Sequence, residues 1–283
     1  MSRDDTTRIL EHITRLRDEL DQLEKLVKGD NQRAVNLVEP VIEGEIIFES
    51  ESDLEIVGGI TTSKFSDCCA IGNEKGYYCT GTLIAPTLVV TAKHCDSISR
   101  VFFGINVSQS QNGETIAVER DIPHPDPDVD LRVLILQRAA LATPRHVAQG
   151  TEVGNPRTAI VAGFGTTDLA GATGYGIKRY ARVPILLLSS TSPADQQNYG
   201  SRIGIEMVAG HLGLKRDSCK GDSGGPLYIS DPNGKGYFLL GATSRGTTNA
   251  QHMCGDGGIY VRVDKLLEWI RTATAINVDG PLH

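Results

Sequence analysis

Three short stretches, far apart in the chain, hold the residue types of a nucleophile, a base and an acid. Cys219-Lys220-Gly221-Asp222-Ser223-Gly224-Gly225-Pro226-Leu227 sets a serine in a glycine-rich turn. Thr91-Ala92-Lys93-His94-Cys95 sets a histidine just after an apolar run, and Asp130-Leu131-Arg132-Val133-Leu134 sets an acid at the mouth of another. A serine hydroxyl is a weak nucleophile until a neighbouring base takes its proton. Imidazole is suited to that transfer and to returning the proton to a leaving group. A carboxylate beside it holds the right tautomer and stabilises the imidazolium. Glycines around the serine suit a tightly turned backbone that substrate must approach closely. The other histidines, His12, His124, His146, His211, His252 and His283, read as ordinary surface or core residues. Asp126 and Asp128 compete with Asp130 for the acid's part, but both precede the apolar run by too much.

The elements that must position these residues are mostly strands. Short runs rich in Val, Ile, Leu and Thr alternate with clusters of Gly, Asn, Pro and Asp: Thr82–Thr91, Val101–Val107, Leu131–Leu136, Thr158–Gly163, Tyr180–Leu188, Tyr237–Ala242 and Gly258–Val263. That pattern predicts an all-β sandwich or barrel. A helix is expected from Asp264 to about Thr274, with Leu266, Leu267, Trp269 and Ile270 as its apolar face. Of the 283 residues, 40% are hydrophobic and 22% charged, an ordinary globular mix that argues against disorder. The longest apolar stretches fall far short of the ~18 residues a membrane span needs.

The front of the chain differs. Residues 1–55 carry 7 basic against 15 acidic residues, whereas the remainder is nearly neutral, within a total of −7. Without a basic patch there is no call for a nucleic-acid partner. In residues 1–29, Ile9, Ile13, Leu16, Leu20, Leu23 and Val27 follow the spacing of a short coiled-coil-like helix. Thr6 is suited to cap its start and Gly29 its end. Its seam predicts a helical partner or packing on the chain's own body. Residues 30–55, with the run Glu49–Glu55, read as an acidic linker.

Together the serine, histidine and aspartate motifs, in that His, Asp, Ser chain order, resemble the trypsin/chymotrypsin family of serine endopeptidases. The resemblance covers about residues 56–274. It implies two six-stranded antiparallel β-barrels with a C-terminal helix, and a peptidase domain over 56–283. It implies His94, Asp130 and Ser223 as catalytic residues and the Gly221 and Ser223 N–H groups as the oxyanion hole. Asp217, six residues before Ser223, falls at the floor of the primary pocket, where an aspartate selects Arg or Lys before the cut bond. Ser218, Ser244, Gly246 and Gly258 match other substrate-binding positions. Cys79 with Cys95, and Cys219 with Cys254, match the family's disulfides, whereas Cys68 and Cys69 match nothing. The sequence departs from the family at Arg245 and Phe164, where tryptophan is usual, and at Lys93, where a small residue is usual. Arg245 suggests a preference for acidic substrate residues upstream of the cut. The family needs no cofactor. The interval of 36 positions from His94 to Asp130 lacks an acid cluster apart from the stretch just before Asp130, so calcium is not expected, and no C-x-x-C signature suggests zinc.

Ile56-Val57-Gly58-Gly59 resembles the new N-terminus that the family gains on activation. Cutting after Glu55 would free an ammonium on Ile56 to pair with Asp222. The expected product is therefore a zymogen-like precursor. Since Glu55 is a poor match for a pocket floored by Asp217, a separate activating protease, or a partner bound at residues 1–29, is expected to switch it on. A trypsin-like domain behind a helical front end resembles bacterial intracellular effector or defence proteases that act on a dedicated partner protein. Two other readings stand beside this one. The first is a catalytically latent binding or regulatory module on the same fold. The second takes Gly221-Asp222-Ser223-Gly224-Gly225 as the G-x-S-x-G elbow of an α/β-hydrolase with Asp231 and His252, a fold that the β-rich pattern opposes. The lack of a signal peptide favours the cytoplasm, whereas the cysteine pattern favours a secreted or periplasmic setting.

Overall fold

The structure, a computed structural model, describes residues 59–234 and 236–278. The expected helix over 1–29, the linker over 30–55 and Ile56 lie outside the described residues.

The turn-punctuated apolar runs become thirteen strands: β1 (Ile60–Thr61), β2 (Cys68–Asn73), β3 (Gly76–Ala85), β4 (Leu88–Thr91), β5 (Arg100–Phe103), β6 (Glu114–Pro123), β7 (Arg132–Leu136), β8 (Thr158–Gly163), β9 (Arg179–Leu187), β10 (Glu206–Ala209), β11 (Pro226–Ser230), β12 (Tyr237–Gly246) and β13 (Gly258–Arg262). Six of them close a first barrel in the order β2-β3-β4-β7-β6-β5, all antiparallel. Six more follow the order β9-β10-β13-β12-β11-β8, and β8 pairs back onto β9 to close a second. Closure removes the free edges that would otherwise invite another chain. β1 joins the second barrel at β9, with Ile60 opposite Tyr180.

The run expected as one strand over Thr82–Thr91 is a hairpin. It breaks between β3 and β4 at Pro86-Thr87, since proline has no N–H to give to a ladder. Two α-helices complete the fold among the described residues. α1 (Pro193–Tyr199) starts at a capping box in which Ser192 and Asp195 exchange side-chain and backbone bonds. The expected C-terminal helix begins as a 3-10 turn, Val263–Leu266, and continues as α2 (Leu267–Thr274).

The seam between the barrels is both apolar and pinned. Phe65 stacks on Tyr228 with ring centroids 4.8 Å apart, in a cluster with Phe102, Phe164, Val261 and Ile270. Asp67, fully buried before β2, accepts from Arg145 Nη2 at 2.6 Å and from Tyr228 Oη of β11 at 2.5 Å. A buried carboxylate needs such partners to be tolerated, and removing one typically costs about 3–5 kcal/mol. Cys68 and Cys69 are free and buried, and burial pushes both thiols up. Strand alternation sends Cys68 to the cluster between the barrels and Cys69 into the first barrel's own core.

Candidate active site

The base comes from the first barrel. β4 ends at Thr91, and His94 follows within three residues, exposed enough to meet a substrate. Asp130 sits just ahead of β7, which pairs with β4, so strand pairing brings acid and base together across 36 positions of sequence. Asp130 Oδ2 lies 2.9 Å from His94 Nδ1, and Oδ1 accepts the His94 backbone N–H at 3.0 Å. Ser244 Oγ, from β12 of the second barrel, donates to Oδ2 at 2.6 Å. Burial raises the Asp130 pKa, but the bonds from His94 and Ser244 outweigh it and leave the carboxyl below its ordinary value. Lys93, beside the base, is drawn away: its Nζ donates to the carbonyls of His124 and Asp126 at 2.7 and 2.8 Å.

The serine turn packs directly on the strand that leads to the base. Thr80 N–H donates to Ser223 O at 2.9 Å, and Cys95 Sγ lies 3.7 Å from that same carbonyl. A Cβ at Gly224, whose φ is +78°, would collide with Thr91 Oγ1 and the Ala92 backbone N. Glycine is therefore required there by contact as well as by conformation. Gly221 has φ +99°, and a side chain there would run into the Tyr175 ring. Neither the Gly221 nor the Ser223 N–H donates to a protein acceptor among the described residues. Thr80 Oγ1 fixes the turn by donating to Gly221 O at 2.8 Å.

Beside the serine opens a cavity of about 170 Å³, lined by Ser223, Ser244, Gly246, Gly258, Ser218 and Asp217 among others. Asp217 is among its buried residues. Its Oδ1 accepts from Tyr260 Oη and from the Ser218 N–H, each at 2.7 Å. A Cβ on Gly258 would come within 3.2 Å of Asp217 Oδ2, and nothing lies within 4 Å of one on Gly246. Burial pushes Asp217 up to about 7 despite those bonds. Asp222 is equally buried. Its Oδ1 accepts from Gly165 N–H at 2.7 Å and its Oδ2 from Cys219 N–H at 2.8 Å, yet burial raises it to about 6. Both disulfides form: Cys79–Cys95 staples the histidine loop and Cys219–Cys254 the pocket rim.

Several residues of the pocket wall escaped the sequence reading, among them Thr243, His252, Met253 and Asp256. His252 and Met253 line the cavity, and His252 Nδ1 lies 3.0 Å from Asp256 Oδ2. Asp256 also accepts from the Gln251, His252 and Gly213 N–H groups, so it organises the loop before Cys254. The available signal was the His252/Asp256 spacing of four across a pocket cysteine. The hydrolase elbow reading fails here. His252 is bonded to Asp256, whereas Asp231 caps a turn at Asn233, and the sheets are closed antiparallel barrels. The anion-receptor reading of Arg245 also fails, because its fork is already closed on the buried Glu206.

Comparison with known proteins agrees with this geometry. The family model described as Trypsin matches residues 56–270. "Serine protease 1" of Canis lupus familiaris is 32% identical over 251 residues, covering 82% of this chain and 95% of the relative. "Trypsin I-P1" of Gallus gallus is 30% identical over 246 residues, covering 80% and 92%. Since the matched stretch holds both barrels and all three motifs, the chain belongs to the trypsin family of serine proteases.

Proposed function

We propose that the chain is a serine endopeptidase that cuts after Arg or Lys and is made as a precursor activated between Glu55 and Ile56. The observation that carries the reading is the grouping of the three motifs. Ser223 lines a cavity together with the buried Asp217, its turn packs against Thr80 and Thr91, and His94, three residues beyond Thr91, is held by Asp130. In this reading His94 takes the Ser223 proton as the hydroxyl attacks the carbonyl carbon, and returns it to the leaving amine. The Gly221 and Ser223 N–H groups receive the developing oxyanion; losing one such donor costs about 3–4 kcal/mol in a related mechanism. Asp217 pairs with the cation of an Arg or Lys side chain, while an apolar side chain leaves it unsatisfied. No cofactor enters the scheme.

Activation rests on Asp222. Its carboxylate is buried on two amide donors, and burial holds its pKa up. An ammonium freed on Ile56 would offset that burial and fix the turn from Asp217 to Ser223. Because Glu55 suits the Asp217 pocket poorly, the cut is made by another protease, or a helical partner at residues 1–29 replaces it. The substrate is a protein or peptide presenting Arg or Lys. Hydrolysis of an arginine peptide ester before and after cleavage at Glu55, with N-terminal mapping of the active form, tests both parts. Turnover that rises on cleavage and vanishes in Ser223→Ala is the expected result. No Ser223-dependent turnover in either form would leave the latent binding module, and full activity in a chain that still begins at Met1 would remove the activation step.

A further inference from the structure

Behind Asp130 lies a second charge pair that the scheme above does not use. Arg245 follows Ser244 on β12. Its Nη1 and Nη2 donate to Glu206 Oε1 and Oε2, both at 2.8 Å. Glu206 opens β10 and is fully buried, and its Oε2 also accepts the Arg202 N–H at 2.6 Å. The Arg245 Nη1 lies 3.1 Å from Ser244 Oγ, and Nη2 donates to Gly200 O at 2.8 Å. The four Nη hydrogens thus have one partner each. A guanidinium held in this way has a single orientation, which lysine could not reproduce.

The consequence falls on Ser244. A hydroxyl has one proton and two lone pairs. With the Arg245 N–H occupying a lone pair, the proton is directed to Asp130 Oδ2, 2.6 Å away. A donor on the oxygen also polarises the O–H and strengthens its own donation. We propose that Arg245, held by Glu206, is a positioning residue for the base: it locks the Ser244 hydroxyl onto Asp130 and so fixes the carboxylate that orients His94. The inference rests on the proposed peptidase reading for its kinetic consequence and on the hydrogen bonds above for its geometry. It assigns a use to the arginine that stands where the family usually has tryptophan.

The pair is neutral as a whole, so removing one charge exposes the other to the ring. Among the described residues, the other charged and titratable groups on the segments around His94 include Asp130, the Lys93 ammonium on the His124 and Asp126 carbonyls, the His124 ring and Asp126 carboxylate themselves, Arg132 with Asp96 and Asp121, and Asp128 with Arg202. The variants below leave these in place. The probe is the His94 ring pKa, followed by NMR of labelled histidine in the full chain carrying Ser223→Ala, with Glu206→Gln and with the neutral double variant Glu206→Gln/Arg245→Gln. Glu206→Gln leaves an uncompensated cation and should lower the ring pKa by about half a unit. The double variant should return it toward the parent value. With Ser223 restored, the double variant should lose about two- to tenfold in kcat on an arginine peptide ester at unchanged KM, the measure of one lost hydrogen bond. A ring pKa in Glu206→Gln indistinguishable from the parent's, or an unchanged kcat in the double variant, would overturn the proposal. A parent chain without Ser223-dependent hydrolysis would instead sink the peptidase reading, while the ring pKa would still decide the positioning.

Discussion

The acid behind the base and the two acids beneath the serine turn are the same residue type, but Asp130 is half-buried while Asp217 and Asp222 are buried, and they sit in opposite electrostatic states. Asp130 is surrounded by built-in donors from His94 and Ser244, and they hold its carboxyl below the ordinary range. Asp217 and Asp222 have amide and hydroxyl donors but form no ion pair among the described residues, and burial, only partly offset at Asp222 by the Arg179 charge, holds them at about 7 and about 6. The difference separates a finished half of the site from an unfinished one. The first barrel presents a base whose orienting carboxylate is already ionised. The second presents carboxylates that still want a cation, which the proposed scheme supplies from outside: the substrate's side chain for Asp217 and the Ile56 ammonium for Asp222.

The sharpest way to break this contrast is to disable the finished half. Asp130→Asn keeps the shape but removes the charge and offers the ring the wrong tautomer. It should lower kcat by about 10⁴-fold with little change in KM, as read by steady-state kinetics on an arginine peptide ester. A loss of only a few fold would mean that Asp130 does not orient the base. Striking the unfinished half should act on selectivity instead. Asp217→Ser should cost on the order of 10³-fold in kcat/KM for Arg and Lys substrates, the scale of truncating one partner of a buried charge pair. Ester substrates with apolar side chains should lose far less. Equal losses for both classes would show that Asp217 supports the fold of the pocket and does not read the cation.

How far the sequence alone could reach follows the same division. The serine turn was legible because its glycines are demanded by contact: Gly224 abuts Thr91 and Ala92, and Gly221 abuts Tyr175. The base and acid were legible because each stands at the end of an apolar strand, where pairing of β4 with β7 brings them together. Strand β6 was not legible. Glu119, Arg120 and Asp121 interrupt its apolar pattern because most of that strand faces solvent. β2 was hidden for the opposite reason, since it is buried on both faces and shows no alternation. Arg245 was legible as a departure but not as a partner of Glu206, because an ion pair between positions 39 apart leaves no local trace. The His252/Asp256 wall was passed over because a lone histidine carries no signal without its buried acid.

A third way to sharpen the contrast uses pH. If Asp217 titrates at about 7 in the empty pocket, a small arylguanidinium must bind its ionised form and expel a proton. Its affinity should fall about tenfold per pH unit below that value and level off above it. Calorimetry in buffers of different ionisation enthalpy would detect the proton release. Affinity flat from about pH 5 to pH 8 would place the ionisation elsewhere.

The smallest expected effect is on stability, and its sign separates the two halves again. Asp217 and Asp222 have folded pKa values raised above the ordinary carboxyl value of about 4. Between that value and about 6–7 the folded chain therefore binds more protons than the unfolded chain. Their contribution is full at the acid end of that window and is lost as pH rises through it. Asp130 and Asp256 act oppositely. Hydrogen bonds hold both below the ordinary value, in Asp256 first that from the Gly213 N–H, so their contribution is present above about pH 4 and lost below it. The uncut chain should therefore melt highest near pH 5 and lose stability toward pH 8 by way of the unfinished half. In the proposed scheme, cleavage after Glu55 supplies Asp222 with a cation and should flatten that loss, leaving mainly the Asp217 part. Melting curves of cut and uncut chain across this range decide the matter: parallel curves would mean that the Ile56 ammonium never reaches Asp222, whatever cleavage does to activity.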